Sequence, residues 1–113
     1  MNIQLFGTKK NPETRKAERF FKERGIRFQS VDIKEKGMSK GELLSVCQAV
    51  GGLEKLIDRD CKDKDLLCLI DHLVPEDRVA KVLENQQILK QPIVRNGKQA
   101  TAGYQPDVWK TWS

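Results

Sequence analysis

Polar and apolar positions alternate at the start of the chain: "NIQLF", Asn2 to Phe6, has the period-two pattern of a short strand. Gly7 to Lys10 follow as a turn. Asn11 is then a good helix N-cap, Pro12 suits the first helical position, and Glu13 complements the helix dipole. Ala17, Phe20 and Phe21 recur at i, i+3 and i+4, so this helix is expected to bury one apolar face, and Gly25 marks a left-handed stop. "IRFQSVDI" reads as a second strand with Phe28, Val31 and Ile33 inward. Strand, helix and strand in so short a stretch predict a parallel pair joined by a right-handed crossover.

The middle of the chain has a helical period. Ser39 and Glu42 have capping-box spacing for a helix to about Val50, with Leu43, Leu44, Cys47 and Val50 as its apolar stripe. "GGLEKLID" predicts a short second helix, "DKDLLCLIDHLV" a third with Leu66, Leu69, Ile70 and Leu73 inward, and "PEDRVAKVLENQQIL" a fourth opening at Pro75. The period then changes. "QPIVRNGKQATAGY" reads as a hairpin, with Asn96 and Gly97 as the turn signal between strands at Ile93 to Arg95 and Gln99 to Ala102. A closing helix from about Pro106 is expected to pack Val108, Trp109 and Trp112. The order is β-α-β, a helical block at about 38–90, then β-β-α. That is an α/β, thioredoxin-like fold with a mixed four-stranded sheet, read as one domain over residues 1–113.

Composition narrows the functional classes. The 113 residues are 38% hydrophobic and 33% charged, a balance that places the chain among globular rather than disordered proteins. No apolar run approaches the ~20 residues of a bilayer span. "MNIQLFGTKK" lacks the pattern of a signal peptide, so a cytoplasmic monomer is expected. The net charge of +5 favours anions in principle, but Lys and Arg are interleaved with Glu and Asp, as in "RKAERFFKER". Aromatics make up 6% and form no basic stripe for stacking on bases, which argues against nucleic acid. Cys47, Cys61 and Cys68 contain no C-x-x-C pair and His72 is the only histidine, so neither a disulfide framework nor a metal site is expected.

Two stretches carry a family resemblance. "FGTKKNPETRKAERFFKERGIRFQSVDIKEKGMS" and "ILKQPIVRNGKQATAGYQPDVW" together resemble the arsenate reductase (ArsC) and Spx-like family across nearly the whole chain. The resemblance implies a cis Gln91–Pro92 bond facing the Gly7–Lys10 turn. It also implies thiol-linked oxidoreductase chemistry, with glutathione as co-substrate, or, for Spx-like members, regulation through binding RNA polymerase. In that family a cysteine opens the first helix, where the dipole and free N–H groups favour the nucleophilic thiolate. Asn11 corresponds to that position and cannot ionise, so standard arsenate reductase activity is not expected.

The resemblance also sets the remaining candidates. Gln91 stands where arsenate reductases carry an arginine before the proline, and Gly103 and Tyr104 stand where another is expected after the hairpin. The third falls in "LIDRDCKDKD", where either Arg59 matches it or Asp60 replaces it. Arg95 is a further candidate cation, or a solvent-facing strand residue. From the residues themselves, Lys9, Lys10, Pro12 and Arg15 surround a helix N-terminus suited to a small anion, unless Asn11 caps it. Cys47 reads as a core thiol and Cys68 as an exposed one beside His72. Cys61 is the candidate for a relocated nucleophile; Asp58, Asp60 and Asp63 around it oppose a thiolate, and the alternative is a loop cysteine without function. Two functions remain in view: altered thiol chemistry, or a silent module that binds a protein partner.

Overall fold

The computed structural model describes residues 1–112; Ser113, the last residue of the expected domain, lies outside the described residues. Strand β1 (Ile3–Gly7), helix α1 (Pro12–Glu23) and strand β2 (Phe28–Asp32) open the chain. Helices α2 (Lys40–Val50), α3 (Lys64–Asp71) and α4 (Pro75–Glu84) follow, with single 3-10 turns at Leu53–Lys55 and Gln86–Ile88. Strands β3 (Ile93–Asn96) and β4 (Gln99–Ala102) and the short helix α5 (Pro106–Trp109) complete it. The sheet order is β2-β1-β3-β4, with β1 parallel to β2 and the other two pairs antiparallel. This is the mixed four-stranded α/β sheet expected from the period changes along the chain.

Alternation along β1 and β3 divides the interior into two layers. Ile3, Leu5 and Val94 face α1 and α5, where they meet Ala17, Phe21, Trp109 and Trp112. Phe6 and Ile93 point the other way, into the helical block beside Leu43, Val46, Leu56 and Ile70. Trp109 is fully buried because its indole N–H also has a partner, the Thr101 hydroxyl at 2.8 Å. The helical block is anchored by Gln86. Its buried carboxamide oxygen accepts from the Met38 N–H at 2.7 Å, and its NH2 donates to the Met38 carbonyl at 2.8 Å. That pair fastens the loop before α2 to the end of the block.

Several boundaries differ from the sequence reading for local reasons. The Asn2–Phe6 strand is shifted by one residue, and the Ile26–Ile33 strand is shorter, with Val31 buried but Phe28 and Ile33 half-buried, as befits an edge strand. "GGLEKLID" forms only a 3-10 turn, and the helix from Pro75 ends at Glu84 rather than running to Leu89. Asp63 caps α3 through the Leu66 N–H, and the helix ends at Asp71. Its inner face is centred on Leu67 and Ile70, which leaves Leu69 exposed. In α2 the inner pair is Leu43 and Val46, so Leu44 is turned to the surface; Val108 is also exposed. The hairpin turn is Gly97-Lys98, with positive φ at Gly97 alone, the pattern of a type II′ turn rather than an Asn-Gly turn. The capping box at Ser39 and Glu42 forms as the spacing predicts.

Replacing Gln86 with Met keeps the volume but strands the Met38 N–H and C=O without partners. Urea unfolding of Gln86→Met is expected to show a loss of about 2–4 kcal/mol, the cost of two buried unsatisfied groups. A loss below about 0.5 kcal/mol would show that water satisfies them instead.

Candidate functional site

The turn that joins β1 to α1 is closed by its own side chains. Asn11 has extended backbone (φ −75°, ψ 123°), and its Oδ1 accepts from the Thr14 N–H at 2.9 Å, so it caps α1. Its own N–H donates to the Thr8 carbonyl at 3.2 Å. Pro12 occupies the first helical position, where it has no N–H to leave unpaired. Arg15 folds back so that its Nε donates to the Lys9 carbonyl at 2.8 Å. Lys9 and Lys10 are exposed, and neither has an ion-pair partner among the described residues.

The second wall is the start of β3. The Gln91–Pro92 bond is cis, as the resemblance implied. Gln91 Oε1 accepts from the Thr8 N–H at 2.8 Å, from the Thr8 hydroxyl at 3.0 Å and, at a longer 3.4 Å, from the Thr14 hydroxyl. Thr14 is buried against Gly7, where a Cβ would run into its side chain; the glycine lets the strand end pass close to the helix. Thr8 and Thr14 did not emerge from the sequence. The signal was a hydroxyl on each side of Asn11, which becomes informative only once Gln91 is known to lie opposite.

The cleft beside this turn carries Glu18, Asp32 and Glu35 against the single ammonium of Lys9. An oxyanion there would face more carboxylates than ammonium groups, an arrangement that opposes anion entry.

The other predicted residues lie elsewhere. Arg59 donates to both carboxylate oxygens of Asp71 at 3.1 Å and also pairs with Glu54, while Arg78 pairs with Glu54 at 3.3 Å. Those hydrogen bonds raise the Arg59 pKa above its ordinary value, and the Arg59 guanidinium holds the Asp71 carboxyl below its own. Arg95 is largely buried rather than solvent-facing. It donates to Gln4 Oε1 at 2.8 Å and lies 3.6 Å from Glu42, about 10 Å along β1 from Gly7, and its Nε has no partner. Cys61 is half-buried against the helical core, its N–H donating to the Asp58 carbonyl at 3.2 Å. Cys47 is half-buried too, and burial pushes its thiol pKa up. Cys68 is exposed, its Sγ 4.0 Å from His72 Nδ1 on α3. The structure therefore gathers Lys9, Lys10, Asn11, Pro12, Arg15, Gln91 and Pro92 around one turn, and commits Arg59 and Arg95 to carboxylates in the helical block. Among the described residues no three His, Cys, Asp or Glu side chains gather as a metal site would require, and no helix is long and apolar enough to cross a membrane.

The pattern that defines the ArsC family matches residues 6–112, which covers both walls of the turn. The chain belongs to the ArsC family. It is 28% identical over 109 residues, 95% of this chain and 80% of the relative, to the global transcriptional regulator Spx 2 of Oceanobacillus iheyensis. In structure it resembles a putative ArsC family related protein from Bacteroides fragilis (TM-score 0.86, 18% identity, covering 100% of this chain and 98% of that one). It also resembles an arsenate reductase from Vibrio cholerae (TM-score 0.83, 22% identity, 96% and 94% covered). These structural likenesses carry the fold of this ArsC-family chain, and the turn described above is where its own chemistry is to be read.

Two outcomes follow from this geometry. Asn11→Ala removes the cap and is expected to cost about 1 kcal/mol in urea unfolding, while Asn11→Ser costs only a few tenths. The Arg59–Asp71 pair contributes stability above the ordinary carboxyl value of 3.8 and loses it as pH falls through the lowered value. Thermal midpoints of the unmodified chain and Asp71→Asn should therefore differ only slightly at pH 7, the pair being exposed, and converge as pH falls from 3.8 through the lowered Asp71 value.

Proposed function

We propose that this ArsC-family chain is a catalytically silent binding module of the Spx-like kind, a regulator whose partner is RNA polymerase. The observation that carries this reading is the 2.9 Å bond from the Thr14 N–H to Asn11 Oδ1. A thiolate at the start of this helix would draw its stabilisation from such free N–H groups. Here a neutral side chain that forms no thiol adduct takes one of them. Gln91 Oε1 takes the Thr8 N–H, so two of the donors that an oxyanion would use at the turn are satisfied from within.

Charge supports the same reading. Arg59 is held by Glu54 and Asp71, Arg95 lies against Gln4 and Glu42, and the cleft beside the turn is lined by three carboxylates. Arsenate reduction needs a thiol and cations at one point, and this turn has the exposed Lys9 and Lys10 but no thiol. Glutathione has no thiol adduct to resolve at Asn11, so the proposal assigns it no step. The 28% identity to a transcriptional regulator over 95% of the chain favours partner binding over residual reductase activity.

Two measurements on the full chain test this. The first is a pH series of thiol alkylation mapped by peptide mass. The unmodified protein should alkylate slowly at Cys47 and Cys61 and like an ordinary surface thiol at Cys68, with a fast thiol near pH 6 only in Asn11→Cys. The second is binding to purified RNA polymerase by sedimentation, expected for the unmodified chain and retained in Asn11→Ser. Rapid alkylation of Cys61 near pH 6 together with glutathione-dependent turnover of arsenate would overturn the proposal in favour of a relocated thiol.

A further inference from the structure

One edge of the sheet is free, at β4. Strand β4 is a terminal strand, and its backbone groups alternate between its neighbour and open space. The Gly103 N–H donates to the Pro92 carbonyl at 2.9 Å, which fixes the alternation: Gln99, Thr101 and Gly103 turn their groups toward β3. Ala100 and Ala102 therefore turn theirs outward. The Ala102 carbonyl accepts from Gln105 Nε2 at 3.2 Å, which leaves the Ala100 N–H and C=O and the Ala102 N–H facing outward. Natural edges are usually blunted by inward charges, prolines or bulges. This one presents two alanines, both half-exposed, in regular pairing with β3.

The edge lies in a groove with a distinct charge. One wall is Val50, Lys55 and Lys90 from the helical block, and the other is Val108 at the C-terminal helix. Val108 is one of the large apolar side chains left exposed. Lys55 ends the 3-10 turn Leu53–Lys55, and Lys90 is held close to it by the isolated Ile57–Leu89 bridge and by its own N–H donating to the Leu56 carbonyl at 2.7 Å. Both lysines are exposed, and neither has a carboxylate within 4.0 Å among the described residues. Among the described residues no acidic side chain lines the groove. Elsewhere on the block the reverse holds, since Arg59 and Arg78 are both tied to carboxylates.

We infer that this edge takes up an extended, acidic segment of a partner protein as a fifth strand, paired to Ala100 and Ala102 with its carboxylates on Lys55 and Lys90. Main-chain pairing supplies the affinity in such strand addition, and side-chain pockets select the sequence. The two lysines select acidic over basic strands and exclude a second copy of this edge, which would bring four ammonium groups together. The inference deepens the partner-binding reading above and rests on it, naming the surface and the chemistry of what docks there.

The test uses the full chain and a fluorescein-labelled ten-residue peptide that alternates valine with glutamate. The control is the same peptide with lysine in place of glutamate. Saturable binding of the acidic peptide alone, read by anisotropy and weakened at least tenfold in Lys55→Glu/Lys90→Glu, is expected. In the complex, amide hydrogen exchange should slow at Ala100 and Ala102. Ala100→Pro removes the outward N–H and should abolish binding; should that variant fail to fold, the exchange result on the unmodified chain decides. Binding without protection of those two amides, or no binding of the acidic peptide, overturns the inference. RNA polymerase binding is measured on the same Lys55→Glu/Lys90→Glu variant. Retention at full strength overturns the edge as the docking site while leaving the regulatory reading intact. Absence of polymerase binding even in the unmodified chain sinks that reading instead.

Discussion

A single carboxamide oxygen, Gln91 Oε1, joins the three segments that define this fold's functional end. It accepts from the Thr8 backbone at the end of β1, from the Thr8 hydroxyl, and at longer range from the hydroxyl of Thr14 inside α1. The constraint behind it is general. A strand that stops and a helix that starts within four residues leave several N–H groups without backbone partners, and burying them unpaired costs about 1–3 kcal/mol each. A ligand can satisfy such groups, or the chain can. In this chain Gln91 and Asn11 do so, and Gly7 provides the close approach that lets Thr14 reach the same point. The turn is thereby a joint of the fold.

With the Thr8 and Thr14 N–H groups bonded from within, the guanidinium groups of Arg59 and Arg95 are placed elsewhere. Arg15 stays local by bonding the Lys9 carbonyl, whereas Arg59 and Arg95 are drawn to Glu54, Asp71 and Glu42 in the helical block. Exposed ion pairs of this kind add little stability. Their consequence is positional, because Arg59, shared between two carboxylates, and Arg95, held by Gln4 and Glu42, are not free to meet an anion. The same distribution leaves Lys55 and Lys90 as unpaired cations beside the β4 edge, in addition to Lys9 and Lys10 at the turn.

The sequence was legible wherever a local rule had no competitor. Asn11-Pro12 and Ser39-Glu42 are caps with fixed spacing, and both formed; the period switch after Leu89 located the hairpin. It was less legible where two apolar faces were available. In α2 Leu43 and Leu44 lie about 100° apart around the helix and in α3 Leu67 and Leu69 about 160°, and packing chose Leu43 and Leu67 over Leu44 and Leu69. Arg95 shows the same limit at the site. A strand arginine reads as solvent-facing until its partner helix is placed, and only then do Gln4 and Glu42 appear on either side. Thr8, Thr14 and Gln91 are separated by up to 83 positions, so no window of sequence could join them.

The apolar core of the fold does not depend on the side chains of this turn. Both apolar layers, around Phe21 and Trp109 on one face and Leu43 and Ile70 on the other, are built without any side chain from positions 8–11. The sheet register likewise depends on β1 pairing with β2 and β3 upstream of the turn. A reactive thiolate at a helix start requires donors that the protein itself leaves unsatisfied, which is a stability cost held in reserve for the substrate. A capping asparagine removes that cost and gains about 1 kcal/mol of helix stability. The same N–H cannot both cap the helix and activate a thiol. On the proposed reading, selection for a binding surface leaves the turn free to settle into the more stable of the two arrangements.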